Sequence, residues 1–137
     1  MRFEFNIDSG LQQQLENLAS GIDKIAPAMI DAATPILERS IKSVLQSHRR
    51  SGDLIKSVNA HAAKLSKGVY TGVVRFDGDS VHKYKHKTQK VANAQKAVAL
   101  EYGTSKQKAT PFLQQAVDAV EGEAVAAMQD AFRREVT

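Results

Sequence analysis

Cysteine is absent from this chain, which excludes a disulfide scaffold, a thiolate zinc site and a cysteine nucleophile. Also missing is any apolar run long enough to span a bilayer. The start, Met-Arg-Phe-Glu-Phe-Asn-Ile-Asp, alternates charged and apolar residues where a signal peptide would carry an apolar core. The expectation is a soluble protein made in a cytoplasm, without membrane contact. Catalytic signatures are missing as well: no serine stands in a nucleophile elbow, and Gly68-x-x-x-Gly72 does not match a phosphate-cradling loop. Neither a helix-turn-helix nor a zinc module is recognisable, so specific base readout is not suggested. An enzyme is the least supported class, and no cofactor is implied. Without internal repeats or a second domain boundary, the 137 residues read as one domain, 1–137, burying about two thirds of its extended surface.

The net charge of +4 is modest but unevenly placed. Residues 1–48 hold 4 Lys/Arg against 6 Asp/Glu, residues 49–108 hold 13 against 4, and residues 109–137 hold 2 against 5. A basic centre between acidic flanks attracts nucleic acid, and equally suits a homo-oligomer whose copies meet through opposite charge.

Phe3, Phe5 and Ile7 alternate with Arg2, Glu4, Asn6 and Asp8, the period of a short edge strand. Ser9 and Gln12 form a capping box ahead of the stripe Leu11, Leu15, Leu18, Ile22 and Ile25, which predicts a first helix. Pro27 predicts a break or kink near Ala26. The stripe Ile30, Ala33, Leu37, Ile41 and Val44 then predicts a second helix to about His48, bent early by Pro35. From Ser57 to Phe76 two alternating runs predict a β-hairpin turning at 66–68. Residues 77–96 hold few apolar anchors beyond Val81, Tyr84 and Val91, so a long, mobile basic loop is expected. Residues 94–102 favour a short helix over a strand. Leu113, Val117, Val120, Ala124, Ala127 and Ala131 then mark an amphipathic helix about 25 residues and roughly 37 Å long.

Residues 99–116 are the most informative stretch, because a turn with special backbone demands runs into a strong helix start. Gly103 takes a positive φ at little cost, Thr104 and Ser105 can bond their own backbone, and Thr110 with Pro111 reads as an N-cap followed by proline in the first helical position. The run Glu101-Tyr102-Gly103-Thr104-Ser105-Lys106, a spacer, then Thr110-Pro111-Phe112-Leu113-x-x-Ala116 resembles the tail-completion, or head-to-tail joining, family of long-tailed bacteriophages. Ser51-Gly52-Asp53-Leu54-Ile55-Lys56-Ser57 is similar to that family's small-Gly-x-Leu-x-x-Ser segment ahead of its first sheet strand. The two matches cover roughly a quarter of the chain, in the right order. Lys108-Ala109-Thr110 and Gln114 depart from the small residues and arginines usual there.

The resemblance implies a structural virion morphogenesis protein, working as a hexameric ring that joins the tail to the head. Its partners would be other copies of itself, the head connector or head-closure proteins, and the tail tube or tail terminator. It would reside in the virion tail or neck, and in the host cytoplasm during assembly. The recognised segment supplies the expected contact residues Glu101, Tyr102, Gly103, Thr104, Ser105, Pro111, Phe112 and Leu113. From its chemistry, Glu101 is expected to order the turn by accepting bonds from Gly103, Thr104 or Ser105, or to pair with a basic group on another copy. Tyr102 and Phe112 are expected in the core or a subunit contact.

Lys83, Lys85, Lys87 and Lys90, with Tyr84 and His86, have the basic and aromatic mixture of a non-specific DNA contact. The favoured reading is a loop that orders against a neighbouring subunit or the tail tube; a small basic nucleic-acid-binding protein is the alternative. His82 and His86 with Asp77 and Asp79 suggest a metal site, but the lysines at 83, 85 and 87 would repel a cation. The expected fold is α+β: a small antiparallel sheet, from the hairpin and the N-terminal strand, packed against two N-terminal helices and a long C-terminal helix.

Overall fold

Ile25, Ala26, Ile30, Ala33, Leu37, Ile41 and Leu45 recur at spacings that place them along one side of a helix, and all are buried. They belong to α1 (Ile22–Gln46) in the computed structural model, which describes residues 2–7, 21–48 and 52–136. The helix expected from Ser9 lies outside the described residues except for its last turn, which opens α1. Of the break or kink expected near Ala26, the break is corrected: α1 continues through both Pro27 and Pro35. Each proline removes the ladder bond to the carbonyl four residues earlier, on Asp23 and Asp31, and both residues are exposed, where water can serve instead. An interior proline costs about 3 kcal/mol, and each fully buried Ile or Leu of the stripe offsets about 1.5–3 kcal/mol of it.

After α1, a single turn of helix, α2 (Asp53–Ser57), leads into the hairpin of β2 (Val58–Ser66) and β3 (Val69–Phe76). Its turn is Lys67-Gly68, with φ of 51° and 76°, the two left-handed residues that match the twist of the flanking strands. The N-terminal strand β1 (Arg2–Ile7) pairs antiparallel with β3, giving the order β1-β3-β2 and placing β1 at an edge as expected. α1 lies across this sheet, and Gly72 is what lets it approach: a Cβ there would stand 2.2 Å from Ile30 Cγ2 and 2.8 Å from Thr34 Cγ2. On the opposite edge, β2 is irregular between His61 and Lys64. There the amides of Ala60 and Ala63 donate to Glu38 Oε2 (2.9 Å) and Asp31 Oδ1 (3.1 Å) of α1, which blunts the edge.

Residues 77–96, expected as a loop, instead form a second antiparallel hairpin, β4 (Asp79–Tyr84) and β5 (Lys87–Ala92), and enter α3 (Asn93–Tyr102). Its apolar anchors are few because most of its residues are exposed; the burial is at the base. There Ser80 donates to Asn93 Oδ1, and Asn93 Nδ2 donates to the Asp77 carbonyl at 2.9 Å. Residues 94–102 are helical as expected, and so is the last element, α4 (Phe112–Val136), at 25 residues.

α4 runs along α1, with Ala116, Ala124 and Ala131 buried between them and Ser40 Oγ donating to the Ala116 carbonyl at 2.8 Å. Its first turn reaches the sheet, where Phe112 meets Phe76 edge to face with ring centroids 5.9 Å apart. The main core joins Leu37, Ile41, Val58, Val74, Phe112 and Leu113. The fold is therefore α+β, with the sheet against α1 and the long C-terminal helix along α1. No helix among the described residues is long and apolar enough to cross a membrane.

Candidate functional site

α3 ends where Gly103, at φ 78° and ψ 174°, turns the chain, its amide donating to the Ala99 carbonyl at 2.9 Å. That backbone region belongs almost solely to glycine, and a Cβ would lie 2.8 Å from Ala109 N and 2.9 Å from Gln107 O. The positive φ expected at Gly103 is present. Thr104 and Gln107 exchange backbone bonds of 2.9 and 3.3 Å, and Thr104 Oγ1 accepts from the Lys106 amide at 3.2 Å. The Thr110 amide then donates to the Leu100 carbonyl at 2.7 Å, bringing the returning chain back beside α3.

The start of α4 differs from the expected Thr110 cap. The helix begins at Phe112, and the Pro111 carbonyl accepts from the Gln115 amide at 3.2 Å, which puts Pro111 in the capping position. Proline has no side-chain acceptor for the amides that follow. Glu101 supplies it: its carboxylate accepts from the Leu113 amide at 2.8 Å and the Gln114 amide at 3.4 Å. A carboxylate suits this place because it can accept two amides at once and complements the positive end of the helix. The expected bonds from Gly103, Thr104 or Ser105 to Glu101 give way to this cap. Glu101 is only 8% exposed, so it builds the subunit rather than facing another copy.

The recognised residues therefore divide by role. Glu101, Phe112 and Leu113 are buried and fix the direction of α4, while Tyr102, Thr104, Ser105 and Pro111 are exposed. Tyr102, at 72% exposure, stays out of the core that Phe112 enters. The upstream motif folds just as tightly. Gly52, at φ 83°, opens α2, Ser57 Oγ donates to the Leu54 carbonyl at 2.6 Å, and the Asp77 amide donates to the Ser57 carbonyl at 2.8 Å.

Leu54 and Ile55 of the upstream motif and Leu100 beside the downstream one pack on the same core. Between them lies a groove of about 950 Å³, with Leu45, Leu54, Ile55 and Leu100 among its apolar lining and His48, His82, Lys96 and Lys108 among its polar lining. Among the described residues, no carboxylate lines it. Lys96 Nζ donates to Ser80 Oγ at 3.2 Å and stands 3.5 Å from His82 Nε2. This groove was not foreseen from the sequence, since it takes the end of α1, α2, α3 and the turn after it to enclose it; the upstream motif marked one wall through Gly52, Leu54 and Ile55, while the downstream motif contributes Thr110.

The hairpin lysines share an arm but not a face. Cross-strand register places Lys83 and Lys90 on one side with Val81 and Thr88, Lys87 on the other, and Lys85 in the turn. All four are exposed. His82 is at the groove and His86 in the hairpin turn. The Asp77 carboxylate bonds His61 at 2.9 Å and Asn59 at 3.2 Å instead of turning toward His82. Among the described residues, no three histidines or carboxylates gather as a metal site would require. No family model, curated protein or solved structure matches the chain.

Proposed function

We propose that the chain is a structural protein of phage or prophage assembly, completing the tail and joining it to the head connector as a hexameric ring. One observation carries the reading: Gly52, Leu54 and Ile55 of the upstream motif share one groove with Leu100, Lys108 and Thr110 around the downstream turn, and the downstream motif is internally locked by Glu101 onto the first amides of α4. That arrangement gives a rigid surface with Tyr102, Thr104, Ser105 and Pro111 facing outward, suited to docking another subunit. A ring requires one patch of each copy to meet a different patch on the next, and the basic centre and acidic ends supply opposite charge for that purpose. The hairpin arm with Lys83, Lys85, Lys87 and Lys90 reaches toward the neighbouring copy or the tail partner. No catalytic step and no cofactor enter this role.

Deleting the gene from the genome that encodes it tests the proposal. Micrographs of the lysate are expected to show DNA-filled heads and separate tails; joined, infectious particles at undiminished yield would overturn it. The gathering of four lysines on one arm also supports a DNA contact as a second reading. If all four met phosphates, affinity would fall with salt at a log–log slope of about −3 to −4. A flat salt response removes that reading.

A further inference from the structure

We infer that the groove walled by the two motifs receives the outward face of α4 from a second copy, centred on Asp118, Glu121 and Val125. The inference rests on the ring reading and specifies its contact. On the receiving side, Lys96 and Lys108 line a groove without carboxylates, and neither lysine has an acidic partner among the described residues. Leu54 and Leu100 give it an apolar lining.

The inserted side has the matching chemistry. Asp118, Glu121 and Val125 lie three and four residues apart, hence on one face of α4, opposite the buried Ala116, Ala124 and Ala131. Val125 is 48% exposed, an apolar anchor beside two carboxylates. Among the described residues, Glu121 has no cation within ion-pair distance, and Asp118 Oδ1 accepts from the side-chain Nε2 of Gln114 at 2.9 Å with no cation beside it.

Gly122, four residues after Asp118 and three before Val125, borders the same face. A glycine inside a helix costs about 0.5–1 kcal/mol relative to alanine, yet a Cβ at this one would meet nothing within 4 Å. That open surface leaves room for a docked groove to approach the helix backbone closely. An amphipathic helix face laid into a groove is a recurrent mode of docking. Because groove and helix face are different patches, the contact is head to tail and can close a ring.

The test uses the full chain, its mass followed by analytical ultracentrifugation across protein concentration, with circular dichroism melts confirming that each variant folds. Lys96→Glu with Lys108→Glu spoils the groove, and Asp118→Lys with Glu121→Lys spoils the inserted face. Each pair is expected to raise the concentration for half-assembly by about 100-fold or more, since it sets like charges together. Mixed, the two variants are expected to assemble again as alternating copies, because the intact face of one fits the intact groove of the other and the two reversed surfaces fit each other. All four substitutions in one chain are expected to restore assembly. Assembly of both variants at the wild-type concentration overturns this contact while leaving the ring intact. A wild-type chain that stays monomeric at every concentration overturns the contact and the ring together. An acidic partner protein that binds the groove while self-assembly ignores Lys96 and Lys108 also overturns it.

Discussion

Replacing Glu101 by alanine isolates the bond system that sets the exit of α4. The Leu113 amide is buried and donates to Glu101 at 2.8 Å, so its loss leaves a donor without water to replace the carboxylate. A buried donor left unpaired costs about 1–3 kcal/mol. The second bond, from the Gln114 amide at 3.4 Å, is longer and partly buried, so it adds less. Loss of negative charge at the helix N-terminus adds about 0.3–1 kcal/mol. Together these give about 3 kcal/mol, which for a domain of this size lowers the melting midpoint by about 10 °C. Glu101→Gln keeps one oxygen for the Leu113 amide but loses the charge and the second acceptor, and is expected to cost about 1–1.5 kcal/mol. Thermal and urea unfolding followed by far-UV circular dichroism read both values, and native-state hydrogen exchange should show the Leu113 amide opening faster in the alanine variant. If Glu101→Ala stays within about 0.5 kcal/mol of wild type, the scale of an ordinary surface change, the cap is not holding the helix.

Other substitutions separate subunit architecture from docking. Gly103→Ala combines backbone strain of about 1–3 kcal/mol with a Cβ 2.8 Å from Ala109 N, and should lower the melting midpoint as much as Glu101→Ala or more. Gly72→Ala pushes against Ile30 and should cost about 1–3 kcal/mol in urea unfolding, without altering the turn. Phe112→Ala empties the place beside Phe76 and should cost about 3–5 kcal/mol by the same assay. Tyr102→Ala should leave unfolding within about 0.5 kcal/mol of wild type while weakening self-association in sedimentation, because the side chain is exposed in the single subunit.

Elements with a one-sided apolar pattern were legible in the sequence. The β2–β3 hairpin and α4 lie where their periodicity put them, because each buries one face and the spacing of Val, Ile, Leu and Ala records it, whereas α3 is helical as expected but buries Asn93, Ala97 and Glu101 and leaves Val98 and Tyr102 exposed. The β4–β5 hairpin was illegible for the opposite reason: most of its residues are exposed, so its alternation carries little apolar signal. Pro27 misled because the proline rule is local, whereas Ala26, Ile30 and Ala33 bury α1 on both sides of it. Within the site, the special conformation of Gly103 was visible from its neighbours, but the partner of Glu101 was not. A carboxylate near a turn has several amides within chain reach, and only the return of the chain through Thr110 to Leu100 brings Leu113 and Gln114 to it. The groove was hidden likewise, since its walls come from segments far apart in the chain.

Gold-labelled antibody against this protein, applied to purified particles and viewed by electron microscopy, tests its role at the junction most directly. Label concentrated where head meets tail is the predicted result. Intact particles that carry none of the protein at that junction would contradict it.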